Sequence, residues 1–173
     1  SGDRDAGDAP GLGIYKSIDG GLTWTPSSTG MPGTTVGRIL QHPTNAQVFI
    51  AATGNGMYRS TDGGTTWTNT KSGTFKDIAF KPNDPNIVYA ASGSSFYRST
   101  DNGATFNQIT TGIPSGQRGV IAVTAANPDY VYFLQSDNSS GFMGLRRSTD
   151  AGLTFTTRST TPNIMDWSCD GSG

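Results

Sequence analysis

Short runs of β-branched and aromatic residues alternate along the chain with clusters of glycine, asparagine, aspartate and proline, as in "HPTNAQVFIAAT" and "KPNDPNIVYAAS". Runs bounded by turn residues in this way are typical of β-strands. The longest apolar stretches, such as "VFIAA" and "VYFL", are far shorter than the roughly 20 residues that a membrane-spanning helix needs. The pattern therefore predicts an all-β protein with no membrane span.

A polar segment that ends in an aromatic residue occurs four times, as "SIDGGLTW", "STDGGTTW", "STDNGATF" and "STDAGLTF". Similarity that recurs at intervals of a few tens of residues indicates a repeated supersecondary unit. The aspartates of these segments, which we call boxes, are separated by 43, 39 and 49 residues and are Asp19, Asp62, Asp101 and Asp150.

Each repeat holds more than its box. A short apolar run stands on either side of the box, and a turn-then-strand segment and another strand precede them in the second, third and fourth repeats. Four antiparallel strands in about 40 residues match the blade of a β-propeller. We therefore predict a propeller segment with about three complete blades and a partial blade at each end. The predicted limits are a half blade at 1–30, blades at 34–70, 74–110 and 119–159, and the start of another at 164–173.

The composition of the box is that of a turn between two strands. Aspartate can hydrogen-bond its own turn, and glycine tolerates the positive φ that tight turns require. Hydroxyls can satisfy backbone groups of the turn, while the aromatic residue packs the hairpin. The predicted structural residues of the boxes are Ser17, Asp19, Gly21, Thr23, Trp24, Ser60, Asp62, Gly64, Thr66, Trp67, Ser99, Asp101, Gly103, Thr105, Phe106, Ser148, Asp150, Gly152, Thr154 and Phe155.

The pattern Ser/Thr-x-Asp-x-Gly-x-Thr-Trp/Phe, met at all four boxes, resembles the Asp-box, or bacterial neuraminidase, repeats of sialidases, sortilin-like receptors and xyloglucan-cleaving propellers. The stretches "GDRDAGD" and "MDWSCDGSG" are also similar to large secreted sortilin-like proteins of Bacteroidetes, many of which leave by type IX secretion. This resemblance implies an extracellular or cell-surface protein with the type IX machinery as a partner. It leaves the activity open, because one fold hosts many functions.

Charge and residue counts exclude several functions. A net charge of -1 gives no basic surface for nucleic acid. The chain has no glutamate, which sialidases need beside a tyrosine nucleophile. Its basic residues before the boxes, Lys16, Arg59, Arg98 and Arg147, share one register and do not converge. His42 is the single histidine and lies in a turn, so Ser-His-Asp catalysis and histidine metal sites are not supported.

Inner strands line the channel of a propeller, so residues near their first positions are candidates for ligand binding. Counting back from the proline that follows each inner strand aligns Arg38 and Asp77 with Val123. A carboxylate and an aromatic ring at a channel mouth suit sugar binding, although a surface charge and a packing tryptophan are equally good interpretations. The candidates are Arg38, Lys76, Asp77, Arg118, Asp166 and Trp167.

Two long loops are predicted at the end of the blades opposite the boxes. One begins the chain and contains Asp3, Asp5 and Asp8, whose carboxylates could bind a structural Ca²⁺; the alternative is a solvated loop. The other, "QSDNSSGFMG", replaces the tight turns "TGNGM" and "SGSSF" of the preceding repeats. Insertions on one face often mark a binding face. We expect no other cofactor.

Two functions remain. In the first, the chain is a non-catalytic binding or adhesion module for polysaccharide or an extracellular protein, and the other blades of a longer chain complete the propeller. In the second, the chain is part of a glycoside hydrolase, whose two catalytic aspartates would face each other at roughly 5–10 Å. We favour binding, because nothing in the sequence identifies such a pair.

Overall fold

A computed structural model describes residues 13–139 and 141–162. The described residues form fourteen β-strands and contain no helix. The chain divides into two units, residues 1–76 and residues 77–173. The prediction of an all-β fold made of four-stranded antiparallel sheets is confirmed.

The first unit holds a two-stranded sheet followed by a four-stranded sheet. Each strand pairs with the next in antiparallel fashion, which is the meander that the repeats predict. The strands are β1 (Tyr15–Lys16), β2 (Thr25–Pro26), β3 (Val36–His42), β4 (Asn45–Thr53), β5 (Gly56–Ser60) and β6 (Thr68–Ser72).

The second unit holds two four-stranded meanders, which we call the third and fourth sheets. The strands are β7 (Asp77–Lys81), β8 (Asp84–Ser92), β9 (Ser95–Ser99), β10 (Asn107–Ile109), β11 (Arg118–Val123), β12 (Val131–Ser136), β13 (Phe142–Ser148) and β14 (Thr156–Ser159). The predicted blades at 34–70, 74–110 and 119–159 begin and end within three residues of the observed four-stranded sheets. The predicted further blade at 164–173 lies outside the described residues.

Aromatic residues fill the space between the third and fourth sheets. Phe96 of β9 makes edge contacts with Phe155 at 4.8 Å and with Phe133 at 5.4 Å between ring centroids. All three rings are buried, together with Tyr89 and Val131. Fully burying a phenylalanine side chain contributes about 1.5–3 kcal/mol, so this cluster is a main source of stability in the second unit.

The strand register corrects one alignment. We compared the sheets by counting strand pairs from the serine of each box. In the fourth sheet, Val120 occupies the position of Arg38 and Asp77, and it pairs with Leu134. The prediction of Val123 at this position is wrong. The turn between β11 and β12 spans residues 124–130, whereas that between β3 and β4 spans only 43–44, so counting back from the proline misplaces the register.

Candidate functional site

Each box connects the third and fourth strands of its sheet, or the two strands of the first sheet, and its aspartate closes the turn. In the second box, Asp62 accepts hydrogen bonds from the Thr66 hydroxyl at 2.6 Å, the Thr66 amide at 2.9 Å and the Ser60 hydroxyl at 2.8 Å. The Ser60 oxygen in turn accepts the Gly64 amide at 2.9 Å. The other three boxes repeat these bonds.

These bonds favour the ionised carboxylate. The hydroxyl and amide of Thr66, with the hydroxyl of Ser60, lower the pKa of Asp62 to about 2. At Asp150 burial opposes the shift, but the bonds from Ser148 and Thr154 outweigh it and lower the pKa to about 2. The pKa values of Asp19 and Asp101 are lowered as well. At neutral pH the box aspartates are therefore anions held by their own turns and poor proton donors.

The box aromatic residues also join neighbouring sheets within each unit. The Trp67 indole donates to the carbonyls of Ser27 at 2.8 Å and Gly64 at 3.0 Å. The backbone amide of Trp67 donates to the Thr29 carbonyl at 2.8 Å. In the second unit the Phe155 amide donates to Thr111 at 3.1 Å in the same way.

A glycine follows each of these acceptor threonines, and neither position has room for a side chain. A Cβ at Gly30 would lie 2.3 Å from the Trp67 carbonyl oxygen, and one at Gly112 would lie 1.8 Å from that of Phe155. Sequence reasoning missed this contact, although the repeated segments "STGMP" and "TTGIP" were a signal that could have revealed it.

The basic residue before a box contacts the next box along the chain. Lys16 Nζ donates to the Gly63 carbonyl at 2.8 Å, and Arg98 Nε donates to the Ala151 carbonyl at 2.8 Å. Gly63 and Ala151 are both the fourth residue of a box. These cations therefore join neighbouring sheets.

Two of the predicted ligand-binding residues lie in the first unit. Arg38 is an exposed residue of β3, next to an irregularity in the strand pairing at Gly37. A Cβ at Gly37 would lie 3.1 Å from the carbonyl oxygen of Lys76, which is exposed as well. The backbones that carry the two cations are thus adjacent.

Asp77 and Arg118 lie in the second unit, at the first positions of β7 and β11. Arg118 is exposed, whereas Asp77 is buried and 7% accessible. The Asp77 carboxylate accepts the amides of Ile78 at 3.0 Å and Ile121 at 2.8 Å. It therefore joins the inner strands of the third and fourth sheets. The other two candidates, Asp166 and Trp167, lie outside the described residues.

The long loop between β12 and β13 is shorter than predicted, since the strands extend to Ser136 and resume at Phe142. Asp137 organises it by accepting the amides of Ser139 at 2.9 Å and Gly141 at 2.8 Å. The equivalent connections, 54–55 and 93–94, are two-residue turns. Among the described connections between the second and third strands of a four-stranded sheet, this loop is therefore the one insertion.

Within residues 13–139 and 141–162, no group of three or more histidine, cysteine, aspartate or glutamate side chains could hold a metal ion. Asp3, Asp5 and Asp8 lie outside this range, so the calcium site remains a prediction. None of the described segments is a helix long and apolar enough to cross a membrane.

Similarity to solved structures defines the class of fold. An ancestral GH74 enzyme matches 91% of this chain with a TM-score of 0.75 and 21% identity, and the match covers 22% of that chain. A GH74 xyloglucanase from Xanthomonas campestris matches 86% with a TM-score of 0.68 and 15% identity, over 27% of its length. YCF48 bound to D1 peptide matches 84% with a TM-score of 0.56 and 18% identity, over 46% of its length. The chain thus spans between a fifth and a half of these structures.

These similarities, together with the four-stranded meanders, define a segment of a β-propeller. The model of the BNR/Asp-box repeat matches residues 58–69, which include the whole of the second box. The segment therefore has the fold of part of a β-propeller and carries the Asp-box repeat, as the resemblance of the boxes implied. Among curated proteins, no sequence matches this chain.

Proposed function

We propose that this chain is part of an extracellular Asp-box propeller that binds polysaccharide without cleaving it. In this proposal the exposed cations near the first positions of the inner strands contact the ligand, and further blades of a longer chain complete the propeller. The described residues form one two-stranded sheet and three four-stranded sheets, and the match covers only part of the similar structures. Both observations support that arrangement. Release by type IX secretion is part of the proposal and rests on the resemblance of the terminal stretches.

The proposal depends mainly on the burial and hydrogen bonding of Asp77. A catalytic carboxylate must reach its substrate and, as an acid, hold a proton. Asp77 is buried, and both of its oxygens accept backbone amides. It is thus occupied in joining two inner strands and is poorly placed to act on a sugar.

The other described carboxylates support the same conclusion. Four belong to the boxes, Asp129 pairs with Lys81 at 3.1 Å, and Asp137 binds its own loop. Asp84 begins β8 at the end of the sheet that carries the box. No two of the described aspartates are therefore arranged as a recognisable catalytic pair at the first positions of the inner strands.

Exposed cations at these positions favour a particular ligand class. Arg38, Lys76 and Arg118 are all exposed, and arginine pairs with carboxylates through two parallel hydrogen bonds. We therefore infer a polysaccharide that carries acidic groups. The similarity to GH74 enzymes, one of which is named a xyloglucanase, is the reason to consider polysaccharide before other polymers.

Native gel electrophoresis in polygalacturonate and in xyloglucan tests this proposal. We expect the acidic polymer to retard the chain, and Arg38→Ala and Arg118→Ala to weaken the retardation severalfold. Arg158→Ala is the matched control, because Arg158 is an exposed arginine of the outer strand β14. Equal retardation of all three variants, or none in either polymer, would contradict the proposal.

A second candidate function is part of a glycoside hydrolase, which the similarity to GH74 enzymes favours. Its catalytic aspartates would then lie outside the described residues, for example at Asp166. Reducing ends measured after incubation with each polymer decide between the two. Release that depends on the concentration of this chain and is lost in Asp166→Asn would favour the hydrolase.

A further inference from the structure

Arg146 of β13 is a buried cation between the third and fourth sheets. It lies opposite Phe133 in the strand pairing, and residues directly opposite each other share a face of the sheet. The Phe133 ring contacts Phe96 of the third sheet at 5.4 Å between centroids. The Arg146 side chain therefore lies on the face that packs against the third sheet, where it is 5% exposed.

Among the three four-stranded sheets that the structure describes, only the fourth carries a cation at this position. We again counted strand pairs from the serine of each box. In the first unit the equivalent pair is Tyr58 with Ala51, and in the third sheet it is Tyr97 with Ala90. The charge is therefore a feature of the fourth sheet and is not required by the repeated blade.

The buried donors of Arg146 have no partner within the described part of the chain. Its Nε and Nη1 atoms are buried, and neither has a hydrogen-bond partner. Burial lowers the pKa of Arg146, and no carboxylate among the described residues opposes this shift. A guanidinium nevertheless remains charged at neutral pH. Since a buried charge without a partner is costly, an anion at this point would stabilise the folded chain.

Gly144 and Gln135 lie beside the guanidinium. A Cβ at Gly144 would lie only 3.3 Å from Arg146 Nη1, so the glycine leaves space next to this donor. Gln135 lies opposite Gly144 in the strand pairing and is 0% exposed. Its Nε2 atom donates to the carbonyls of Ser94 at 2.9 Å and Pro114 at 3.1 Å, which fixes the amide, while its buried Oε1 atom has no partner.

These groups favour a small monovalent anion. One negative charge balances the single guanidinium, whereas a multivalent ion would bring further unpaired charge into a buried region. The Gln135 Oε1 atom accepts hydrogen bonds and cannot bind an anion directly, but it can accept one from water. Buried water commonly satisfies such groups. Water alone, however, would leave the charge of Arg146 unbalanced.

We propose that Arg146 binds a small monovalent anion, of which chloride is the simplest example, between the third and fourth sheets. The anion accepts the Nη1–H group beside Gly144, and water that hydrates the anion donates to Gln135 Oε1. The bound anion stabilises the packing of the two sheets. This site does not depend on the proposed polysaccharide binding, which uses other residues.

Urea unfolding in mixtures of sodium chloride and sodium gluconate tests the proposal. Chloride rises from about 1 to 300 mM, while gluconate, which is too large for the site, keeps the ionic strength constant. A ligand that binds only the folded chain lowers the unfolding equilibrium constant by a factor of one plus the ratio of its concentration to its Kd. A Kd of about 30 mM therefore predicts a fall of about tenfold, followed by circular dichroism.

Two matched variants assign the effect to one arginine. Arg146→Met keeps an unbranched side chain but removes the charge, so the chloride dependence should disappear. Arg158→Met is the control, because Arg158 is an exposed arginine of β14, and it should keep the full dependence. Chloride NMR gives a direct measurement of binding. The chloride line should broaden in the presence of the folded wild type, and Arg146→Met should remove most of this broadening.

The wild type alone is enough to refute the proposal. An unfolding constant that is the same in chloride and in gluconate overturns it, even if Arg146→Met does not fold, and is the result expected of a site that holds only water. A chloride dependence that Arg146→Met retains also overturns it, because the effect would then be a general one of the salt.

Discussion

Replacing Asp77 by alanine removes the acceptor that joins the inner strands of the third and fourth sheets. The amides of Ile78 and Ile121 then lose their partner in a buried region. A hydrogen bond to a charged group contributes about 1.5–3 kcal/mol. The Ile121 bond, between strands, carries most of the effect, and we expect a loss of about 3 kcal/mol in the free energy of unfolding.

Two further variants, Asp77→Asn and Asp129→Ala, provide the comparison with Asp77→Ala. Asp77→Asn keeps one carbonyl oxygen, which can accept one of the two amides, so about half of the loss is expected. Asp129→Ala breaks an ion pair whose aspartate is 58% exposed, and such pairs contribute about 0–1 kcal/mol. Urea unfolding followed by circular dichroism measures all three.

Hydrogen exchange of the Ile121 amide locates the effect. It should speed up in Asp77→Ala more than in Asp129→Ala, because only the first variant removes its acceptor. A change below about 0.5 kcal/mol with an unchanged Ile121 amide would refute the structural role of Asp77. Loss of polysaccharide retardation at unchanged stability would instead make Asp77 a ligand-binding residue.

Two further predictions concern the box of Asp62 and Gly112, which lies in the connection between β10 and β11. The bonds from its turn lower the pKa of Asp62 from 3.8 to about 2, so its contribution to stability is fully present above pH 3.8 and is lost as the pH falls towards 2. Urea midpoints measured down this range should fall less steeply for Asp62→Asn than for the wild type, and equal slopes would contradict the interpretation. Gly112→Ala should prevent or severely weaken folding, since its Cβ would lie 1.8 Å from a backbone oxygen of the fourth box. Gly20→Ala, with a similar positive φ but nothing within 4 Å, should cost only about 1–2 kcal/mol; similar unfolding midpoints for both variants would show that the close contact is unimportant.

The hairpins and their boxes could be predicted because their information is local. A box such as that of Asp62 contains its own donors, acceptors and turn glycine, and every hydrogen bond of its carboxylate lies within five residues of the chain. Three repeats of the whole strand pattern then identify the blade.

The roles of the candidate site residues depend on distant neighbours and could not be predicted in the same way. Asp77 has the residue type of a ligand-binding carboxylate, but a strand 44 residues further along the chain supplies its amide partner. The acceptors of Lys16 and Arg98 lie 47 and 53 residues away. A common register was visible in the sequence, whereas the partners appear only when sheets pack together.

The most direct test of the proposed function is the time course of reducing-end release from the polysaccharide that retards this chain. Because the described carboxylates other than Asp84 hold turns, strands and one ion pair, we predict no more release than in buffer alone while the polymer remains bound. Release that increases in proportion to the amount of chain would contradict binding without cleavage and would favour the hydrolase.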